Sequence, residues 1–210
     1  MKQKTSRVLF DYWNALRQGR PAPRRLDIEP SRISRILAET MVLERVDFET
    51  YRFRLAGTEI AYIFGYELRG CNFADLWPAM SDRTAILSAL SRVTRRLGGA
   101  CIEFQAFDLD GKRARFEMML LPLVHNSETV DRYLGTITEI PSNQSAAGRP
   151  LSALELISDE PIWPDAERRD MPKPALVGVD PPLALDVRSA RIVNMGRRRF
   201  RVYEGGRSGD

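Results

Sequence analysis

The stretch YRFRLAGTEIAYIFGYELRGCNFADLW, from Tyr51 to Trp77, decides the fold. Tyr51, Phe53 and Leu55 alternate with Arg52 and Arg54, the period of a half-buried strand. The period then changes. Ile60, Ile63 and Phe64 within Thr58 to Tyr66 make a short helical piece closed by Gly65. After Gly70, the residues Phe73, Leu76 and Trp77 suggest one more turn of helix, ended by Pro78. Gly57, Gly65 and Gly70 stand where the chain must turn sharply, and glycine takes positive φ there without a steric cost.

Upstream, Met41 and Leu43 followed by Glu44 and Arg45 give a partner strand, joined to the first by an acidic turn around Asp47 and Glu49. Ile33, Ile36 and Leu37 predict a short helix from about Ser31 to Glu39, with Ser31 as N-cap. At the front, Leu9, Trp13 and Leu16 fall at i, i+4 and i+7, with Arg7, Asp11 and Asn14 opposite. That is an amphipathic helix, ended by Gly19, Pro21 and Pro23. Downstream, Ile86, Leu90, Val93 and Leu97 form one stripe of a long helix over Ser81 to Leu97, which Gly98-Gly99 stops. Two strands follow, Ile102–Ala106 and Ala114–Leu120, across an Asp110-Gly111 turn, and a last strand covers Arg132–Ile140. The expected class is α+β, an antiparallel sheet with flanking helices.

After Pro141 the periodicity fails. SNQSAAGRP has a linker composition, and prolines recur at 150, 161, 164, 172, 174, 181 and 182. Leu151, Leu154, Leu156 and Ile157 suggest one short helix, and Ala190–Val193 could pair with Phe200–Tyr203. The expected division is an N-terminal amphipathic helix and linker over 1–30, a sheet domain over 31–140, and a mostly flexible charged extension over 141–210. Limited proteolysis is expected to leave a core ending near residue 140. Net charge is +4 over 210 residues, but its basic surplus sits in 1–30 (seven Lys/Arg against three acids) and 187–210 (seven against two). Residues 31–140 hold fourteen against fifteen, so the domain body lacks the basic face of a nucleic-acid binder.

The order strand, strand, short helices, long helix and three strands, with Gly57-Thr58, Phe64-Gly65-Tyr66 and Gly70-x-x-Phe73-x-Asp75-Leu76, resembles the PAS domain family. The closing Tyr133-Leu134-Gly135-Thr136 resembles the last PAS strand. The resemblance covers about 31–140, or 5–140 with the leading helix. The front helix followed by RPAPRRLDIEPSRI resembles small bacterial single-domain PAS proteins, some tied to motility and cell-cycle control. It implies a non-catalytic signalling protein acting through protein–protein contact, with small-ligand sensing as an option.

A photoactive flavin domain of this family needs a reactive cysteine in an N-C-R-F-type string and a glutamine on the last strand. Here Gly70 precedes Cys71, and Ile137 follows Gly135-Thr136. The family's haem sensors need a histidine on or near the long helix, whereas the chain's one histidine is His125. No flavin, haem or other cofactor is therefore expected. Alternation proposes Phe53, Leu55, Ile60, Phe64, Leu90, Phe104, Phe116 and Met118 as the wall of a central cavity, or as a solid core. Two cysteines, Cys71 and Cys101, and one histidine make neither a disulfide framework nor a zinc site. Asp108 and Asp110 read as turn formers. No apolar run is long enough to span a bilayer and no apolar leader region follows the basic start, so a cytoplasmic location is expected. Mean hydropathy of −0.32 agrees. Met119, Leu121 and Leu123 point away from the Phe116, Met118, Leu120 set, making the sheet's other face apolar. Leu9, Trp13 and Leu16 offer a matching stripe, supplied by the same chain as a cap on its own sheet or by a second copy; with Met119 and Leu121 they are the predicted interface of a homodimer, alongside contacts with other signalling proteins. The alternative reading is a phosphate site for nucleic acid or cyclic dinucleotides at Arg197, Arg198, Arg199 and Arg201.

Overall fold

The computed structural model describes residues 1–125, 129–141, 149–164, 191–195 and 198–202. They fall in two units, residues 1–166 and 167–210. In the first, helix α1 (Lys4–Arg17) is followed by 3₁₀ segments Arg25–Asp27 and Pro30–Glu39, then strands β1 (Thr40–Arg45) and β2 (Tyr51–Ala56). Helix α2 (Thr58–Phe64), a 3₁₀ turn (Phe73–Leu76) and helix α3 (Met80–Arg96) come next. Strands β3 (Gly99–Phe107), β4 (Arg113–Val124), β5 (Val130–Glu139) and β6 (Ser152–Ile162) complete it. The sheet runs β2-β1-β5-β4-β3-β6, and every pairing is antiparallel. The second unit's described part is a hairpin of β7 (Arg191–Met195) and β8 (Arg198–Val202).

The sheet is covered on both faces. Alpha2, the Phe73–Leu76 turn and α3 pack one face into a cluster holding Phe53, Phe73, Trp77, Leu90, Phe104, Phe116 and Met118. Alpha1 and the first two 3₁₀ segments pack the other, against Val42, Met119, Leu121, Leu123 and Leu134. From Phe116 to Leu123 every residue of β4 is buried, which is why that strand reads as a nearly continuous apolar run.

Three local readings are corrected. The 31–39 segment is 3₁₀ rather than α, with Pro30 opening it after Glu29 and non-helical backbone at Ile33, so Ser31 is not its N-cap. Leu55 is 40% exposed and lies on the face opposite Phe53. Val42 pairs with Leu55 while Leu43 pairs with Phe53, so a bulge at this point breaks the two-residue period. Residues 152–162 are a strand on β3, not a helix, and the sheet runs on past residue 140. The expected pairing of Ala190–Val193 with Phe200–Tyr203 is observed as Arg191–Met195 with Arg198–Val202.

Gly65 takes φ +75 and Gly70 φ +87, as expected for sharp turns, but Gly57 does not. Its φ is −68, and its need is for space: a Cβ there would overlap the carbonyl oxygens of Leu37 and Ala38. Both obstacles are backbone, held where the 3₁₀ segment meets β1. Gly57→Ala should therefore cost about 1–3 kcal/mol or more, the range for overpacking a filled site. Chemical denaturation reads this directly, and a wild-type midpoint would show that the junction yields.

Candidate functional site

The inner face is the place where the sequence put a cavity. Seven of the eight proposed wall residues do meet there: Phe53, Ile60, Phe64, Leu90, Phe104, Phe116 and Met118, all within one buried cluster. Leu55 does not join them.

What occupies the centre is a file of rings. Phe53 stands edge-on to Phe73 at 5.8 Å between centroids, Phe73 to Trp77 at 6.4 Å, and Trp77 to Phe104 at 5.5 Å. Phe104 then stacks on Phe116 at 5.2 Å. These are the offset and edge-to-face spacings of favourable aromatic packing, and all five rings are fully buried. The guanidinium of Arg149 lies over the outer end of this file, 5.7 Å from the Phe116 ring. Phe73 and Trp77 were missing from the sequence-derived wall, although their i, i+4 spacing before Pro78 was the available signal.

Few polar groups reach this face. The indole N–H of Trp77 is buried without a partner. The Tyr133 hydroxyl bonds that of Thr94, which itself donates to Leu90 O at 3.0 Å, and Tyr51 stands edge-on to Tyr133 at 5.6 Å. Burial raises both phenols above their ordinary value, so they remain neutral donors. Ile137, which follows Gly135-Thr136 on β5, is a buried core residue. Cys71 sits in a loop whose carbonyl accepts from Phe53 N–H, pairing with the free edge of β2. Burial pushes the Cys101 thiol up to about 11, with the Glu117 charge adding to the effect. His125 lies just beyond β4, its N–H held by Asp131. No group of acidic, cysteine or histidine side chains among the described residues could hold a metal ion.

The outer face takes up the predicted interface within the chain. Leu9, Trp13, Met119 and Leu121 are fully buried together, Leu16 partly so, and Trp13 Nε1 donates to Pro122 O at 2.8 Å. In this chain the stripe covers its own sheet, one of the two arrangements expected for it. A sequence-silent residue fixes the helix. Glu117, buried on β4, accepts from the backbone N–H groups of Lys2 (2.5 Å) and Gln3 (3.0 Å) at the start of α1. Glu103, its cross-strand neighbour, pairs with Lys2 Nζ and with Arg115. Arg198, Arg199 and Arg201 lie on β8, and Arg197 lies outside the described residues. No helix among the described residues is long and apolar enough to cross a membrane.

Residues 1–138 match the sequence pattern of the family described as PAS domain. Among solved structures, an RNA-binding light-oxygen-voltage receptor is similar at 21% identity and a TM-score of 0.41. That match covers 52% of this chain and 32% of the receptor, so the chain spans about a third of its length. A substituted form of RsLOV matches at 12% identity and TM-score 0.41, covering 70% of this chain and 73% of that one. The PAS domain of an HTR-like protein from Haloarcula marismortui matches at 21% and 0.35, over 55% and 95%. No curated protein matches.

Proposed function

Since the chain belongs to the PAS domain family, a sensory and signalling fold, we propose that it works as a non-catalytic regulatory domain whose output is contact with other proteins. The observation that carries this reading is the aromatic file from Phe53 to Phe116, which occupies the middle of the inner face where a resident cofactor would have to lie. A core filled in this way confers a fixed shape and surface rather than a reaction centre. Among the described residues, the two neutral phenols, the threonine hydroxyl, the indole N–H and the Arg149 guanidinium do not make an acid–base or nucleophilic pair. A place in motility or cell-cycle control rests on the Arg20–Ile33 string and its resemblance alone. Partners are proteins in this proposal, and a homodimer would have to form on a surface other than the α1 stripe or by exchange of α1.

The purified protein should be colourless. Absorbance from 300 to 700 nm, with a native mass taken on the same sample, checks this. A chromophore present at one per chain would overturn the filled-core reading.

A further inference from the structure

The family match ends at residue 138, yet the sheet does not. Residues 149–162 return to line the open edge of β3 and the adjoining end of the inner core. Leu151 and Leu154 bury 97% of their surface in that core, and Leu151 N–H donates to Ile63 O at 2.8 Å. Alpha3 supplies two fixed receptors. Asp82 Oδ2 accepts from Leu156 N–H at 2.9 Å, and Arg92 Nη2 lies 2.6 Å from both carboxylate oxygens of Asp159.

This is the recognition logic of an added strand. Main-chain bonds and Asp82 read any extended peptide, while two apolar sockets and Arg92 select leucines and a trailing carboxylate. The segment is also less regular than its neighbours. Beta3 pairs with β4 through eight consecutive partners without a shift, whereas β3 pairs with β6 across two breaks in register. Ala153 takes φ +49, Ile157 is 42% exposed, and Ser152, Glu155, Glu160 and Pro161 face solvent.

We propose that the β3 edge, with Asp82 and Arg92 of α3, is a docking groove for an extended peptide bearing spaced leucines and an acidic residue. Residues 149–162 are its occupant in cis. The inference deepens the protein-contact reading by naming the partner's chemistry and the segment that competes with it.

A protease recognition sequence inserted after Ser145 of the full chain allows the segment to be cut free without being removed. A fluorescent peptide of residues 149–164 is then added, and anisotropy is read before and after cutting. The cut chain should take up the peptide saturably, and the uncut chain at least tenfold more weakly. An Asp159→Asn peptide should bind about tenfold or more weakly to the cut chain, as expected for losing a charge-assisted pair, and a Leu154→Asp peptide should not compete. A cut chain that keeps its own strand and admits no peptide, or that loses its circular dichroism on cutting, would show that β6 is an integral strand. Exchange of β6 between uncut copies, seen as a dimer by mass, would assign the groove to a second copy instead. The absorbance test above scores the filled core and this assay scores the groove, so each can fail alone.

Discussion

Trp13→Ala should lower the free energy of unfolding by about 3–5 kcal/mol, the range for deleting a large buried aromatic side chain. Trp13 is fully buried, and its ring fills the space between α1 and the outer face of β4 and β5. Its removal takes away contacts with that layer and also leaves Pro122 O without the indole donor that now lies 2.8 Å away. Trp13→Phe separates the two effects, because it keeps most of the ring and loses the N–H, a step worth about 1 kcal/mol. Denaturant unfolding gives the energies, and hydrogen exchange over residues 4–17 locates them. Faster exchange confined to α1 would mean that the helix peels off before the domain unfolds. Near-wild-type stability of the alanine variant would mean that α1 does not hold this face in solution. The native mass should not change between variants, since the stripe is satisfied within the chain.

Trp13 also shows where sequence reading succeeds and where it stops. Its i, i+4, i+7 companions revealed an apolar stripe, and alternation along β4 revealed an apolar sheet face to match it. Periodicity reports that a surface must be covered. It carries no information on whether the cover comes from the same chain, because both arrangements bury the same side chains. The inner face was legible for a similar reason: Phe104, Phe116 and Met118 alternate with Glu103, Gln105, Arg115 and Glu117 along β3 and β4. Leu55 failed because a bulge shifts the period by one residue, and a bulge leaves no mark in the apolar pattern. Beta6 was missed because Leu151, just before it, and Leu154 and Leu156 within it do not alternate, and Ala153 at positive φ falls in one of its two register breaks. Glu117 stands between Phe116 and Met118 as a polar residue of an alternating strand. Nothing local to β4 announces that the backbone it serves lies more than a hundred residues away.

Glu117→Gln should cost about 1.5–3 kcal/mol at neutral pH, the range for a hydrogen bond to a charged group in a buried setting. The carboxylate is inaccessible to solvent and receives two backbone N–H groups at the start of α1, donors that have no partner inside the helix. Burial alone would push its carboxyl up. The Lys2 and Gln3 N–H groups outweigh that and hold it below its ordinary 4.5. A carboxyl with a depressed folded value binds fewer protons in the native state than in the unfolded one. Its contribution is therefore complete above the unfolded value and disappears as pH falls through the folded one. The wild-type advantage over Glu117→Gln should be full at pH 7 and begin to shrink below about pH 4.5. Further acidification should remove it as the native carboxylate takes up its proton. Paired denaturation curves across that window, each variant against wild type, isolate Glu117 from the chain's other carboxylates. Asp27 and Asp47, which are also held low, titrate equally in both proteins. A difference that stays constant down to pH 2 would mean that the residue acts through shape and not through charge. A difference that grows on acidification would reverse the sign of the argument and place the unfavourable burial term in control.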